Sequence, residues 1–134
     1  MTGTKILILP FAPRTKKNSS RIVKIGKFSK VLPSKAYEKL EKQCLGLLPF
    51  LWDKEPISKP INLKCYFYKD RNYKSDLVGY LQAIQDILVK GNVLSDDNHN
   101  IVNNTNGSKV FLDRQNPRIE IYITEIEDYD NDSI

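Results

Sequence analysis

The sequence predicts a small α+β domain: a mixed β-sheet with two helices packed on one face. Three observations point there. Residues 61–68 and 118–124 alternate apolar and polar side chains, the pattern of half-buried strands. Two other stretches, opening at Ser34 and Ser75, repeat their apolar positions at helical spacing. And 134 residues with 40% hydrophobic content suit one core and exclude wholesale disorder.

Each element has its own local warrant. Lys5 to Leu9 is apolar and β-prone, a first strand, and Pro13 stops it from continuing through the polar loop of residues 11–20. Arg21 to Ile25 and Phe28 to Leu32 flank Gly26, which predicts a basic hairpin. Ser34 is the expected N-cap of the first helix, whose apolar positions are Tyr37, Leu40, Cys44, Leu47 and Leu48, with Pro49 as its stop. Trp52 to Pro60 reads as a loop. In the strand that follows, Ile61, Leu63, Cys65 and Phe67 share one face. Ser75 is the expected cap of a second helix running to about Lys90, with Leu77, Leu81, Ile84 and Leu88 as its buried stripe and Gly91-Asn92 as its end. Asn100 to Val110 predicts a strand or hairpin turning at Asn106-Gly107. Ile119, Ile121 and Ile123 mark the closing strand. The body is one domain over residues 1–124, and residues 125–134 form an acidic tail expected to be solvated and frayed.

Charge is distributed unevenly. Lys and Arg number 21 against 16 Asp and Glu, a net +5. Residues 1–40 contain ten basic side chains and one acid, Glu38, whereas the last ten contain five acids and no base. Without the tail the body carries +10. A body this basic suits a polyanion such as nucleic acid, and it also suits a merely soluble surface. No apolar run approaches the length of a membrane span, and the start lacks the pattern of a signal peptide. Cys44 and Cys65 have no second pair with which to build a metal cage, so two reduced thiols are expected.

Four of the eleven acids in the body fall at Asp76, Asp86, Asp96 and Asp97. Val78, Gln82 and Asp86 follow one another at i, i+4 and i+8, opposite the leucine stripe, and a short reversal from Gly91 to Ser95 can return Asp96-Asp97 to the same helix. A convergence of carboxylates inside a basic body is a seat for Mg²⁺, a hard cation that prefers oxygen ligands and keeps several waters. Beside a phosphodiester such an ion polarises the phosphoryl oxygen, activates a water and stabilises the leaving oxygen. The same residues also have plain uses: Asp76 at a helix start is favoured by the macrodipole, and Asp96-Asp97-Asn98 makes an ordinary polar turn. In the polar loop, Arg14, Lys16 and Lys17 are candidate phosphate contacts, with Asn18 bonding the backbone and Lys74 as a further cation. Tyr66, Tyr68 and Tyr73 either stack on unpaired bases or, for the first two, cover the outer face of the sheet.

The segment from Lys74 to Val89, with Leu94-Ser95-Asp96-Asp97-Asn98 after it, resembles the core of the RusA family of Holliday junction resolvases. The likeness extends to Pro13 through Ser19, to Pro33-Ser34 and to Asn116 through Ile121, in the family's order and over nearly the whole chain. It implies a RusA-like fold and a homodimer that binds four-way DNA junctions and nicks two strands with Mg²⁺, Mn²⁺ being a substitute, in a bacterial cytoplasm, phage and prophage included. By position Asp76 and Asp97 match the family's catalytic acids, while Asp86 and Asp96 match acids that support the metal site. Two departures stand out: the family's second acid at the helix start is Val78 here, and its lysine one turn on is Gln82. Asp86 lies on the face that carries both and is the expected replacement ligand. The alternative is a non-catalytic or weakly active protein of the same fold that binds branched or single-stranded DNA.

Overall fold

The two alternating segments become the centre of the sheet. The computed structural model describes residues 3–16, 21–32 and 34–126. In chain order they form β1 (Thr4–Leu9), β2 (Arg21–Ile25), β3 (Phe28–Leu32), α1 (Lys35–Leu51), β4 (Ile61–Lys69), α2 (Leu77–Lys90), β5 (Val102–Asn104), β6 (Lys109–Leu112) and β7 (Arg118–Glu125). Strand β7 lies between β1 and β4 and is antiparallel to both, while β5 and β6 pair with β4 in parallel. The hairpin β2–β3 is a separate two-stranded sheet. The architecture is the expected α+β domain with a mixed sheet.

Strand pairing aligns the alternations. Leu7 faces Ile121, which faces Cys65; Leu9 faces Ile119, which faces Phe67. All six are buried, and one core cluster joins them to Tyr37, Leu40, Cys44 and Leu48 of α1 and to Leu81, Ile84 and Leu88 of α2. Both helices therefore cover the same face of the sheet. Each such side chain withdrawn from water contributes about 1.5–3 kcal/mol, which offsets the entropy lost on ordering it. Both cysteines are buried free thiols, and burial pushes Cys44 up to about 12 and Cys65 higher still. The opposite face is aromatic. Tyr66 packs edge-on against Phe111 and Tyr122, Arg118 lies over Tyr68 at 3.7 Å, and Lys64 lies over Tyr122 at 4.8 Å. Tyr66 and Tyr68 thus cover the outer face of the sheet.

Two local expectations differ from the structure, and a third is narrowed by it. Helix α1 passes through Pro49 to Leu51, because Leu48 and Trp52 on either side of it are buried and the Trp52 N–H closes the last turn onto Leu48 O at 2.8 Å. Asp76, not Ser75, caps α2: its Oδ1 accepts from Val78 N–H at 3.1 Å, a role that a carboxylate fills with added favour from the helix dipole. Of the strand and the hairpin left open for residues 100–110, the strand is what forms. Residues 102–112 are one edge strand in two pieces, since Asn62 exchanges side-chain hydrogen bonds with the backbone of Asn106 and Ser108 Oγ accepts from Cys65 N–H. Those polar side chains replace ladder bonds across the interruption. At the C-terminus, β7 runs one residue beyond the expected boundary, and Ile126 N–H still bonds Pro60 O at 3.0 Å. Residues 127–134 of the acidic tail lie outside the described residues.

The reversal after α2 positions the site. Gly91 N–H closes onto Ile87 O, Asn92 adopts a left-handed φ of 61°, and Val93 and Leu94 bury themselves under the helix end. A parallel bridge between Ile57 and Leu94 then holds the chain as it turns back. A Cβ on Gly91 would meet Leu48 Cδ1 at 2.5 Å and Ile87 O at 3.2 Å. Leu48 is wholly buried and has little room to yield. Gly91→Ala is therefore expected to destabilise the protein by about 1–3 kcal/mol in urea unfolding, although alanine is the better helix former. Equal or greater stability would show that the core absorbs the methyl.

Candidate functional site

The face of α2 that carries Val78, Gln82 and Asp86 is not simply solvated. It forms one wall of an open cleft of about 870 Å³, where Asp76 and Asp97 also lie. The cleft draws on four parts of the chain. Thr15 and Lys16 come from the loop after β1, Lys74 and Ser75 from the loop after β4, Asp76 from the cap of α2, Val78, Gly79, Tyr80, Gln82 and Asp86 from the helix itself, and Asp97 from the reversal beyond it. Helical periodicity set the α2 face, and the buried Val93-Leu94 turn brings Asp97 back to it.

The two loops are tied to each other. Arg14 donates both Nη atoms to the Asp70 carboxylate at 3.1 and 3.2 Å, and its Nη1 also reaches Tyr73 Oη at 3.3 Å. This fork raises Arg14 above its ordinary value and holds the Asp70 carboxyl below its own. Tyr73 Oη in turn meets Tyr80 Oη at 3.3 Å, and burial with the Tyr73 hydrogen bond pushes the Tyr80 phenol up. Lys69 Nζ donates to Tyr73 O at 2.6 Å. Arg14, expected at a phosphate, is thus spent on joining the loop after β1 to the loop after β4. Asp70 is the positioning residue that sequence reading missed, and Tyr73, expected at unpaired bases, joins it in holding Arg14. An acid just after a confident strand was the available signal for Asp70, but its partner lies 56 residues away.

The remaining candidates fall as follows. Lys16 pairs with Asp86, and its side chain sits 5.6 Å over the Tyr37 ring. Lys74 is exposed on the cleft wall. Lys17 and Asn18 lie outside the described residues. Asp96 is not among the cleft-lining residues. Its Oδ1 accepts from Asp97 N–H at 2.7 Å and its Oδ2 from Asn98 Nδ2 at 3.0 Å, which holds the carboxyl below its ordinary value. Asp96 therefore shapes the turn that presents Asp97. Gly79, in the first turn of α2, was a missed signal: a Cβ there would meet Thr15 Cγ2 at 3.0 Å, so the glycine admits the loop after β1 to the cleft wall.

Hard carboxylate oxygens suit Mg²⁺, yet among the described residues no three His, Cys, Asp or Glu side chains stand close enough together to hold a metal ion. The four-carboxylate cage drawn from the sequence is not assembled in this conformation. Mg²⁺ does not need one, because it commonly binds through one or two carboxylates and completes its shell with waters and substrate phosphate. Asp76 and Asp97 both line the cleft, and Asp76 keeps a carboxylate oxygen beyond its capping bond. No helix among the described residues is long and apolar enough to cross a membrane. No family model matches this chain, and no curated protein matches it.

Proposed function

We propose that the protein is a Mg²⁺-dependent, structure-specific endonuclease that resolves four-way DNA junctions by paired nicks, acting as a homodimer. The observation that carries this reading is the cleft itself, which collects Asp76, Asp86 and Asp97 with Lys16 and Lys74 from separated segments of a basic chain. Carboxylates set among ammonium groups suit a phosphodiester, whose charge needs cations and whose cleavage benefits from a bound divalent ion. Support also comes from the ordered resemblance to the RusA family.

Asp76 and Asp97 would hold the ion, which supplies Lewis acidity at the scissile phosphate. Asp96 fixes the turn that carries Asp97, the Arg14–Asp70 fork holds the loop that carries Lys16, and Lys74 offers an ammonium to the phosphate backbone. The test uses a labelled synthetic four-way junction with Mg²⁺: paired symmetric nicks are expected, with junction bound more tightly than linear duplex. Equal affinity for the two DNAs would overturn the reading. Tight junction binding without nicks, unaffected by EDTA, would favour a binding protein of the same fold, a reading that rests on Val78.

Val78 provides a gain-of-function test. It is 67% exposed on the cleft wall, two residues after Asp76, so a carboxylate there costs no core packing. Val78→Asp is expected to increase nicking about tenfold at limiting Mg²⁺, with stability changed by less than about 0.5 kcal/mol. Unchanged or lower activity at every Mg²⁺ concentration would show that the site is not short of a ligand there.

A further inference from the structure

The Asp86 carboxylate faces a cation that the chain itself provides. We propose that Asp86 is a positioning residue that holds Lys16 in the cleft as a resident phosphate-binding ammonium, rather than acting as a third metal ligand. This inference rests on the reading of the cleft as a nucleic-acid site.

Lys16 is held at several points. Its backbone O accepts from Ser34 N–H at 3.4 Å, next to the start of α1, and its Nζ meets both the Asp86 carboxylate and the Tyr37 ring. It also borders the smaller cavity between α1 and α2, where Glu41 lies. Burial pushes the Glu41 carboxyl up, but hydrogen bonds from Lys90 and Tyr37, with the charges of Lys90 and Lys16, bring it below its ordinary value. An ammonium held between a carboxylate and a ring has less rotamer freedom to lose when a ligand arrives, so phosphate binding need supply less of that ordering. Lysine has three donors, and one carboxylate oxygen leaves the others able to reach a phosphate. Helix α2 brings no cation to this wall, because Gln82, one turn before Asp86, is neutral. The positive charge is delivered across the cleft by the loop after β1.

The sign of one substitution separates the roles. Removing an acid beside a polyanion normally tightens binding, and a metal ligand contributes nothing favourable to DNA affinity in EDTA. With Asp86 as a positioning residue, Asp86→Asn instead weakens it. Junction binding is measured by fluorescence anisotropy in EDTA across a salt series. Lys16→Gln and Asp86→Asn are each expected to weaken binding about five- to tenfold and to reduce the salt slope by about 0.9. Lys16→Gln/Asp86→Asn should be no weaker than Lys16→Gln alone, and Lys16→Arg and Asp86→Glu should retain most of the affinity. Asp86→Asn binding as tightly as the wild type or tighter, or a double variant that loses the product of the two single effects, would overturn the proposal while leaving the nucleic-acid reading intact. Failure of the wild type to bind DNA at all would overturn both.

Discussion

Asp97→Asn is expected to abolish junction nicking while leaving the protein folded and bound to DNA. Asp97 is an exposed residue on the turn after α2, and no core side chain depends on it. Its loss removes a carboxylate oxygen from a cleft that has few. A metal at a phosphoryl oxygen supplies several kcal/mol of transition-state stabilisation, so losing it slows nicking by about 10²- to 10⁴-fold. Junction affinity in EDTA should hold or rise, because a negative charge beside the polyanion is gone. The two readouts move in opposite directions, which misfolding cannot mimic. An Asp97→Asn protein that nicks within about threefold of wild type would remove Asp97 from the chemistry. Asp53→Asn, an exposed acid outside the cleft lining, is the matched control.

The largest expected effect on stability lies behind the cleft. Phe67 is 1% exposed on β4 and stacks on Tyr80 with ring centroids 5.2 Å apart. Tyr80 is itself buried and begins the helical hydrogen bonding of α2, its N–H bonding Asp76 O at 3.1 Å. Phe67→Ala leaves a cavity between the sheet and the first turn of α2, at an expected cost of about 3–5 kcal/mol. That is a large share of a domain's whole stability, and thermal unfolding should fall by roughly 10–20 °C. The loss should reach the site as well, since Tyr80 loses the ring that seats it beneath Asp76. A thermal midpoint within about 3 °C of wild type would mean that the core collapses around the gap.

Much of this architecture was legible because it depends on short-range periodicity. The alternations in β4 and β7 survive into the structure residue for residue, and the stripe of α2 is buried at Leu81, Ile84 and Leu88. Ser34 caps α1 as its position suggested. The misses and one open choice are equally specific. Pro49 is a strong local stop, but burial of Leu48 and Trp52 overrides it. Asn106-Gly107 left strand and hairpin both open, and the flanking pieces both find β4, because Asn62 and Ser108 satisfy the backbone between them. Asp76 displaces Ser75 as the cap by one residue, a choice between two good N-caps.

The acids divide along the same line. That Asp76 and Asp86 lie along one helix, with Asp96 and Asp97 just beyond a reversal, follows from helical geometry and a glycine, both local properties of the chain. Which of them face the cleft does not. Asp96 turns its oxygens to its own neighbours, Asp97 faces the open space, and Asp86 meets an ammonium 70 residues away. Arg14, which looked like a phosphate contact, instead meets Asp70 across a comparable distance in sequence. Periodicity and capping depend on residues within about four positions, so sequence alone conveys them. The partner of a charge depends on which loops the packed core brings together, and that is settled only when sheet and helices close around their shared face.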